Sequence, residues 1–269
     1  MVEPKYRRPL NDTQLAILHE LYRFRIGTTQ LLSTALQTEN KNLLNRKLTV
    51  LLEQDHIARI YDPSYRLNHQ HASFFLSTNG VKELKNLPEK NYSPRVLANI
   101  KRLKHPSDKF VYHALGVFEA CNLIKARRGD DVRLFTKSEL ADFNYFPEKR
   151  PDAFIRLKTA NGEQQYILEY LESNTPFRVI LGKLKSYIKY CDEGEWEVTN
   201  SPLPPILLVC DSGALEKRIQ KYGITAIEEA DDDVLRFYST NLPALQAQAK
   251  LPWTSLQEAD KKFELEEIN

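Results

Sequence analysis

The spacing of apolar residues changes abruptly near the middle of this chain, and the change limits the folds that it can adopt. Up to Cys121 most apolar residues recur at the spacing of amphipathic helices. A chain of 269 residues is long enough to form two cores, so we expect an N-terminal, largely helical domain followed by an α/β domain. The later apolar residues form short, strand-like runs at Val132 to Phe135, Asp152 to Leu157, Gln165 to Leu171 and Ile206 to Cys210.

The N-terminal segment has the order of elements of a winged helix-turn-helix domain, which we assign to residues 1–88. Capping residues precede three amphipathic stretches, at Asn11, Thr28 and Asn40. Two strand-like runs follow, Ile57 to Tyr61 and Ala72 to Ser77, joined by a turn-rich segment. Three helices and a hairpin with a basic tip make up this type of domain.

The polar face of the third predicted helix carries side chains suited to DNA. A major groove admits one helix, and a wing supplies backbone contacts. Residues 1–110 hold 18 basic and 10 acidic residues, an excess that favours a polyanionic partner. The same type of domain also docks proteins, in which case the polar face is only solvated. The residues predicted to contact duplex DNA are Lys41, Asn42, Asn45 and Arg46 on the helix, and Arg59, Arg66 and His69 near the hairpin.

Composition divides the rest of the chain into three parts. Residues 89–106 are polar and basic, which predicts a linker with at most one short helix. Residues 107–240 contain the strand-like runs, and Asn161-Gly162 is a hairpin signal between two of them. Residues 241–269 are predicted to be an acidic tail.

The elements predicted within residues 107–240 follow the order of the PD-(D/E)xK nuclease superfamily. Pro151-Asp152 opens one strand of the hairpin, and Glu169 lies late on its partner. Two carboxylates on adjacent strands can hold Mg²⁺, which would activate a water for hydrolysis of DNA. The sequence therefore predicts Asp152 and Glu169 as metal ligands and catalytic residues if this domain is active.

The lysine of this nuclease pattern is missing from its usual position. It normally stands two residues after the glutamate, where this chain has Leu171. Lys183 or Lys185, in the next predicted helix, can replace it by reaching back; in the other interpretation both lie on a solvated helix face. Because of this departure we expect the nuclease-like domain to be non-catalytic, with no cofactor, and to use Mg²⁺ only if its site is active.

Short motifs along the chain point to one family. The helix after the winged helix carries His113-Ala114-Leu115, and Arg150-Pro151-Asp152, LEYLESNT and Lys183-Leu-Lys-Ser-Tyr187 follow. With these motifs the chain resembles the replication-relaxation family of bacterial plasmids and mobile elements. The resemblance implies DNA binding and a part in plasmid replication, relaxation or transfer. It also implies a nuclease-like second domain that is often degenerate in its acidic residues.

Our leading interpretation is a cytoplasmic DNA-binding protein of a plasmid or mobile element. It would act in replication, relaxation, mobilisation or transcriptional control, with duplex DNA as its partner; a homodimer and a protein partner stay open. Two alternatives remain: a Mg²⁺-dependent DNA endonuclease or nickase that uses Asp152 and Glu169, and a protein-interaction adaptor. No apolar run approaches the roughly 18 residues of a membrane span, so we expect no membrane partner.

Overall fold

Helices and strands alternate along most of the chain, in a mixed α+β arrangement. The computed structural model describes residues 9–61, 71–87, 90–160, 162–228, 235–247, 253–258 and 261–268. The chain divides into two compact units, with the boundary after Phe118. In the described part of the chain, no helix combines the length and the apolar character that a membrane crossing requires.

The first unit combines short helices with a three-stranded antiparallel sheet. The strand order is β1-β3-β2, so the last strand in sequence lies between the other two. Arg66 and His69, predicted above to contact DNA, lie outside the described residues. The elements are α1 (Asp12–Phe24), β1 (Gly27–Thr28), α2 (Thr29–Ala35), α3 (Lys41–Glu53), β2 (Ile57–Ile60), β3 (Ser73–Leu76), α4 (Thr78–Lys85) and α5 (Pro94–Arg102).

Local sequence explains where the helices of this unit begin. The Asn11 side chain accepts a hydrogen bond from the Gln14 backbone amide, and the Gln14 side chain accepts one from the Asn11 amide, so α1 starts with a capping box. Asn40 caps α3 by accepting from the Leu43 amide at 3.0 Å. In α3 the residues that turn inward recur at helical spacing and are buried: Leu44, Leu48 and Leu51.

The sixth helix, α6 (Asp108–Arg128), crosses the boundary between the units. Its N-terminal half contributes Val111, Ala114 and Leu115 to a cluster with Ile26 and Phe75 of the first unit. The structure thus divides the chain after Phe118, whereas the predicted second domain begins at residue 107. Residues 94–102, placed in the predicted linker, form α5, whose buried side chains are Val96, Leu97 and Ile100.

The second unit is built on a seven-stranded sheet with the order β10-β9-β8-β7-β6-β5-β4. Strands β4, β5 and β6 are antiparallel neighbours, whereas β6, β7 and β8 run parallel. The strands are β4 (Val132–Thr136), β5 (Ala153–Thr159), β6 (Gly162–Leu171), β7 (Ile206–Cys210), β8 (Phe237–Asn241), β9 (Trp253–Ser255) and β10 (Lys262–Phe263). The helices are α7 (Phe177–Asp192), α8 (Gly213–Glu228) and α9 (Leu242–Ala247).

The main core of this unit lies between the sheet and its crossover helices. Ile167 and Leu171 of β6 share one cluster with Ile180 and Leu184 of α7. Because side chains alternate along a strand, Glu169 belongs to the same face of β6 as these two apolar residues. Strand β6 therefore directs the Glu169 carboxylate toward α7, within the apolar layer between the sheet and this helix.

Residues 241–269, interpreted above as an acidic tail, take part in the sheet. Strand β9 pairs with β8, and β10 pairs with β9. Trp253 of β9 is fully buried, and the buried Tyr166 hydroxyl donates a hydrogen bond to the Leu265 carbonyl at 2.6 Å. The interpretation as a tail rested on the acidic charge of this segment, but its buried apolar residues, such as Trp253, Leu256 and Leu265, determine its place in the fold.

Candidate functional site

The hairpin of β5 and β6 places two carboxylates side by side. Ala153 pairs with Leu168, so Asp152 stands opposite Glu169 in the same antiparallel register. The backbone amide of Tyr170 donates a hydrogen bond to Asp152 Oδ2 at 3.0 Å. Asp152 is 5% exposed and Glu169 is 1% exposed, so both carboxylates are withdrawn from water.

Helix α7 supplies two partners for the Glu169 carboxylate from successive turns. Lys183 Nζ donates to Glu169 Oε2, and the Tyr187 hydroxyl donates to Glu169 Oε1. Residues four apart lie on one helix face, which explains why both reach the same carboxylate. Lys183 Nζ is also 3.9 Å from Asp152 Oδ2. The four side chains form what we call the carboxylate–lysine cluster: Asp152, Glu169, Lys183 and Tyr187.

In the carboxylate–lysine cluster, burial and the attraction between opposite charges have opposite effects on the pKa values of Glu169 and Lys183. Burial raises the pKa of Glu169 to about 7, with the Lys183 ammonium acting against it and the Asp152 carboxylate adding to it. Burial also opposes the charge of Lys183, but the neighbouring carboxylates of Glu169 and Asp152 outweigh it and raise the pKa of this lysine. Burial and the Glu169 carboxylate raise the pKa of Tyr187 well above its ordinary value, so this group stays a neutral hydrogen-bond donor.

Asp152 and Glu169 are a pair of carboxylates of the kind that Mg²⁺ binds together with waters, and Lys183 lies against both of them. Mg²⁺ requires oxygen ligands in a near-octahedral arrangement. Here the two carboxylates share the ammonium of Lys183, which takes the position of a cation between them. Among the residues that the structure describes, no group of three or more histidine, cysteine, aspartate or glutamate side chains is arranged to hold a metal.

Two further residues near the site were not predicted as site residues. Tyr187 appears in the sequence motifs above without a role, although a Lys-x-x-x-Tyr spacing signals one shared helix face. Glu172 is 4% exposed, and its charge also raises the pKa of Lys183. It lies just beyond β6, and no local pattern marks it. Leu171, at the position of the missing lysine, packs in the main core.

The structure separates the two candidate lysines of α7. Lys183 lies in the carboxylate–lysine cluster, and its side chain is 35% exposed. Lys185 is exposed, two residues further along the helix. A helix turns by about 200° over two residues, so the two side chains leave α7 on different faces.

The predicted DNA-contacting residues of α3 all lie on its exposed face. Asn45 Oδ1 accepts a hydrogen bond from Thr29 Oγ1 of α2 at 3.0 Å, which links the two helices. The guanidinium of Arg59, on β2, lies 5.3 Å from the centre of the Tyr61 ring. The exposed residues of α3 are Lys41, Asn42, Asn45 and Arg46.

Comparison with known protein families gives one match of wide extent. The model of the replication-relaxation family matches residues 18–204, which is more than two thirds of the chain. The chain belongs to the replication-relaxation family. The part of this family member that is matched includes α3 and the whole carboxylate–lysine cluster.

Comparisons with curated proteins and solved structures add little to the family match. No curated protein matches this replication-relaxation protein. Two solved structures show weak similarity: restriction endonuclease FokI, at a TM-score of 0.31, and FokI bound to DNA, at 0.30. Both are 11% identical to the family member and cover 90% of it. The chain in turn covers 45% and 46% of those two FokI chains, less than half of their length.

Proposed function

We propose that this protein binds duplex DNA in the replication, relaxation, mobilisation or transcriptional control of a plasmid or mobile element. The first unit acts as a winged helix-turn-helix domain, and the second as a nuclease-like domain that does not cleave. One observation carries the proposal: α3 turns its polar and basic side chains outward while its leucines are buried. Membership of the replication-relaxation family supports the biological setting.

The order of elements in the first unit supports a winged helix. Helices α1, α2 and α3 precede the antiparallel pair β2 and β3, and the short β1 pairs with β3. In such a domain α3 is the helix that enters the major groove. Its 13 residues extend for about 20 Å, long enough to present two turns of side chains to base edges.

The exposed residues of α3 suit both the contacts to phosphates and the contacts to base edges that DNA recognition requires. Lys41 and Arg46 are cations that neutralise phosphate or reach guanine, whereas Asn42 and Asn45 present amides that pair with adenine. The Thr29 hydroxyl donates a hydrogen bond to Asn45 Oδ1, which orients the amide of Asn45. We therefore assign base contacts to the asparagines and at least one phosphate contact to the cations.

Charge reversal on α3 tests the proposal directly. The double variant Lys41→Glu/Arg46→Glu should bind labelled duplex DNA at least about a hundredfold more weakly, because two attractive contacts become repulsive. The control Lys217→Glu reverses one exposed charge on α8 of the second unit. Binding is measured by fluorescence anisotropy at several salt concentrations. Affinity that does not change with salt, or that the double variant retains, contradicts the proposal.

The departure at Leu171 supports the absence of cleavage, because this side chain packs in the core and can neither donate a hydrogen bond nor carry charge. Lys183 reaches back to both carboxylates, as a lysine that replaces the missing one would do. In the non-catalytic interpretation, Lys183 is instead the cation that allows two buried carboxylates to face each other.

A metal-dependent nuclease is the second candidate function, because Asp152 and Glu169 converge on a single cation. The two candidates are separated by incubating supercoiled plasmid with the protein in EDTA, Mg²⁺ or Mn²⁺. We expect retarded but uncut plasmid under all three conditions. Nicked or linear product that appears only with metal, and disappears in both Asp152→Asn and Glu169→Gln, would establish the nuclease instead.

A further inference from the structure

A groove lies between α4 and α5 of the first unit, and none of the α3 residues discussed above lines it. It encloses a volume of about 350 Å³. Each wall is one helix stripe, with residues at i, i+4 and i+7, so the two stripes face each other along the groove. The wall residues are Thr78, Lys82 and Lys85 on α4 and Pro94, Ala98 and Lys101 on α5.

The floor of the groove is apolar and firmly packed. Val81 and Leu97 line it, and each is 6% exposed. Tyr92 also lines the groove; its hydroxyl is 3.2 Å from His19 Nδ1, and its ring packs edge-on against Tyr22. The floor, together with the exposed Pro94 and Ala98 of the α5 wall, therefore offers an apolar surface for another molecule to cover.

The rim of the groove is cationic. Lys82, Lys85, Lys90 and Lys101 line it, and the described lining residues include no aspartate or glutamate. Lysine ammonium groups on flexible stems attract negative charge without fixing the orientation of the molecule that carries it. The rim thus selects for negative charge, and the floor selects for apolar side chains.

From these two properties we infer that the groove binds an acidic amphipathic helix of a protein partner. Such a helix places apolar residues at i, i+3, i+4 and i+7 against the floor and directs its carboxylates to the lysines. The volume accommodates a few inserted side chains. The partner is defined by this chemistry: leucine or phenylalanine on one helix face, and glutamate or aspartate on its flanks.

Other occupants match the groove less well. Duplex DNA presents phosphates that would meet the lysines but would leave the floor of Val81 and Leu97 uncovered. A small polar ligand needs several directed hydrogen-bonding groups. Among the lining residues that the structure describes, the uncharged polar side-chain groups are the hydroxyls of Thr78 and Tyr92, and that of Tyr92 already contacts His19.

Two synthetic peptides of identical composition test this inference on the full-length protein. The first is a fluorescently labelled helix with leucine and phenylalanine on one face and glutamate elsewhere; the second scatters the same apolar residues around the helix. Anisotropy should show saturable binding of the first peptide and binding at least about tenfold weaker of the second. Equal binding of the two peptides, or no saturable binding of the first, overturns the inference.

A bulky substitution inside the groove, with a matched control outside it, locates the binding site. Ala98 and Asn99 are adjacent and both exposed on α5, but only Ala98 lines the groove. Ala98→Trp should weaken binding of the first peptide at least about tenfold, whereas Asn99→Trp should leave it unchanged. Equal affinity in the two variants contradicts the inference. Duplex DNA binding that is lost in Ala98→Trp, with peptide binding retained, would assign the groove to DNA.

The peptide-binding test of the groove does not depend on the proposed function. The double variant Lys41→Glu/Arg46→Glu should lose DNA binding and keep peptide binding, because neither residue lines the groove. Loss of peptide binding in Lys82→Glu/Lys101→Glu, with DNA binding retained, supports the inference by itself. Failure of one proposal therefore leaves the other intact.

Discussion

At Glu169, two opposing effects act on a single carboxyl group. Burial favours the neutral acid, whereas Lys183 favours the carboxylate, and burial has the larger effect. The result is a carboxyl group that exchanges its proton near neutral pH at the centre of the second unit. The protonation state of Glu169 therefore changes within the pH range in which proteins are normally purified and stored.

The raised pKa predicts how stability changes with pH. The folded pKa of Glu169 is about 7, above its ordinary value of 4.5, so the folded chain holds a proton that the unfolded chain releases between these values. The resulting contribution to stability is fully present below pH 4.5 and is lost as the pH rises through 7. Relative to Glu169→Gln, the free energy of unfolding of the wild type should fall by about 3 kcal/mol over this range.

Urea unfolding of the two proteins at a series of pH values checks this prediction. Glu148→Gln, which removes an exposed carboxylate from the same unit, is the control for the chemical change itself. A constant difference between wild type and Glu169→Gln across the pH range would show that Glu169 stays in one protonation state.

The site could be predicted from the sequence where a local pattern marks it. Asp152 follows a proline at the start of a strand, and Glu169 lies in an apolar strand, so both stood out as candidates. The sequence did not separate Lys183 from Lys185, because which turn of α7 faces β6 depends on how the helix packs. Glu172 lies beyond the end of a strand, where no periodicity indicates the direction of a side chain.

At the scale of the element, strand β9 is the part of the fold that was not predicted, because its segment was interpreted as an acidic tail. Trp253 lies in the short strand WTS between β8 and β10, and its side chain is fully buried. Residues 241–269 contain five acidic and three basic residues, and the interpretation as a tail followed this small acidic excess although twelve residues of the segment are apolar. Most helices and the longer strands were predictable because several apolar residues repeat in each of them, whereas a three-residue strand has no period to detect.

Trp253→Ala should strongly destabilise the second unit. Removal of a fully buried tryptophan costs about 3–5 kcal/mol, because a cavity remains in the core. Lys262→Ala, which truncates an exposed side chain on the neighbouring β10, is the control and should change the free energy of unfolding little. Urea unfolding followed by far-ultraviolet circular dichroism measures both variants. Equal stability of Trp253→Ala and wild type would restore the interpretation of this segment as a tail.

At the scale of the whole molecule, α6 contains the boundary between the units. The Phe24 and Phe118 rings stack with centroids 3.9 Å apart, so the first unit needs this helix up to Phe118. The whole of α6 lies within the predicted second domain. A continuous amphipathic pattern predicts a helix but does not indicate which unit each of its turns packs against.

Two fragments of the first unit should therefore differ sharply in stability. A fragment that ends after Arg128 keeps Phe110, Ala114 and Phe118, whereas one that ends after Pro106 lacks them and leaves Ile26 and Phe75 uncovered. We expect cooperative thermal unfolding from the longer fragment and none from the shorter one. Equal melting of the two would place the domain boundary before residue 107, as the sequence suggested.

The hydrogen bond from Tyr166 to Leu265 makes the order of synthesis important for the second unit. The two residues are 99 positions apart, so the ribosome makes the acceptor roughly 5–20 s after the donor. Strands β9 and β10 arrive in the same late interval, whereas every residue of the first unit has already been translated. The nascent second unit therefore cannot complete its sheet until this interval has passed, and the edge of β8 that β9 covers stays unpaired until then.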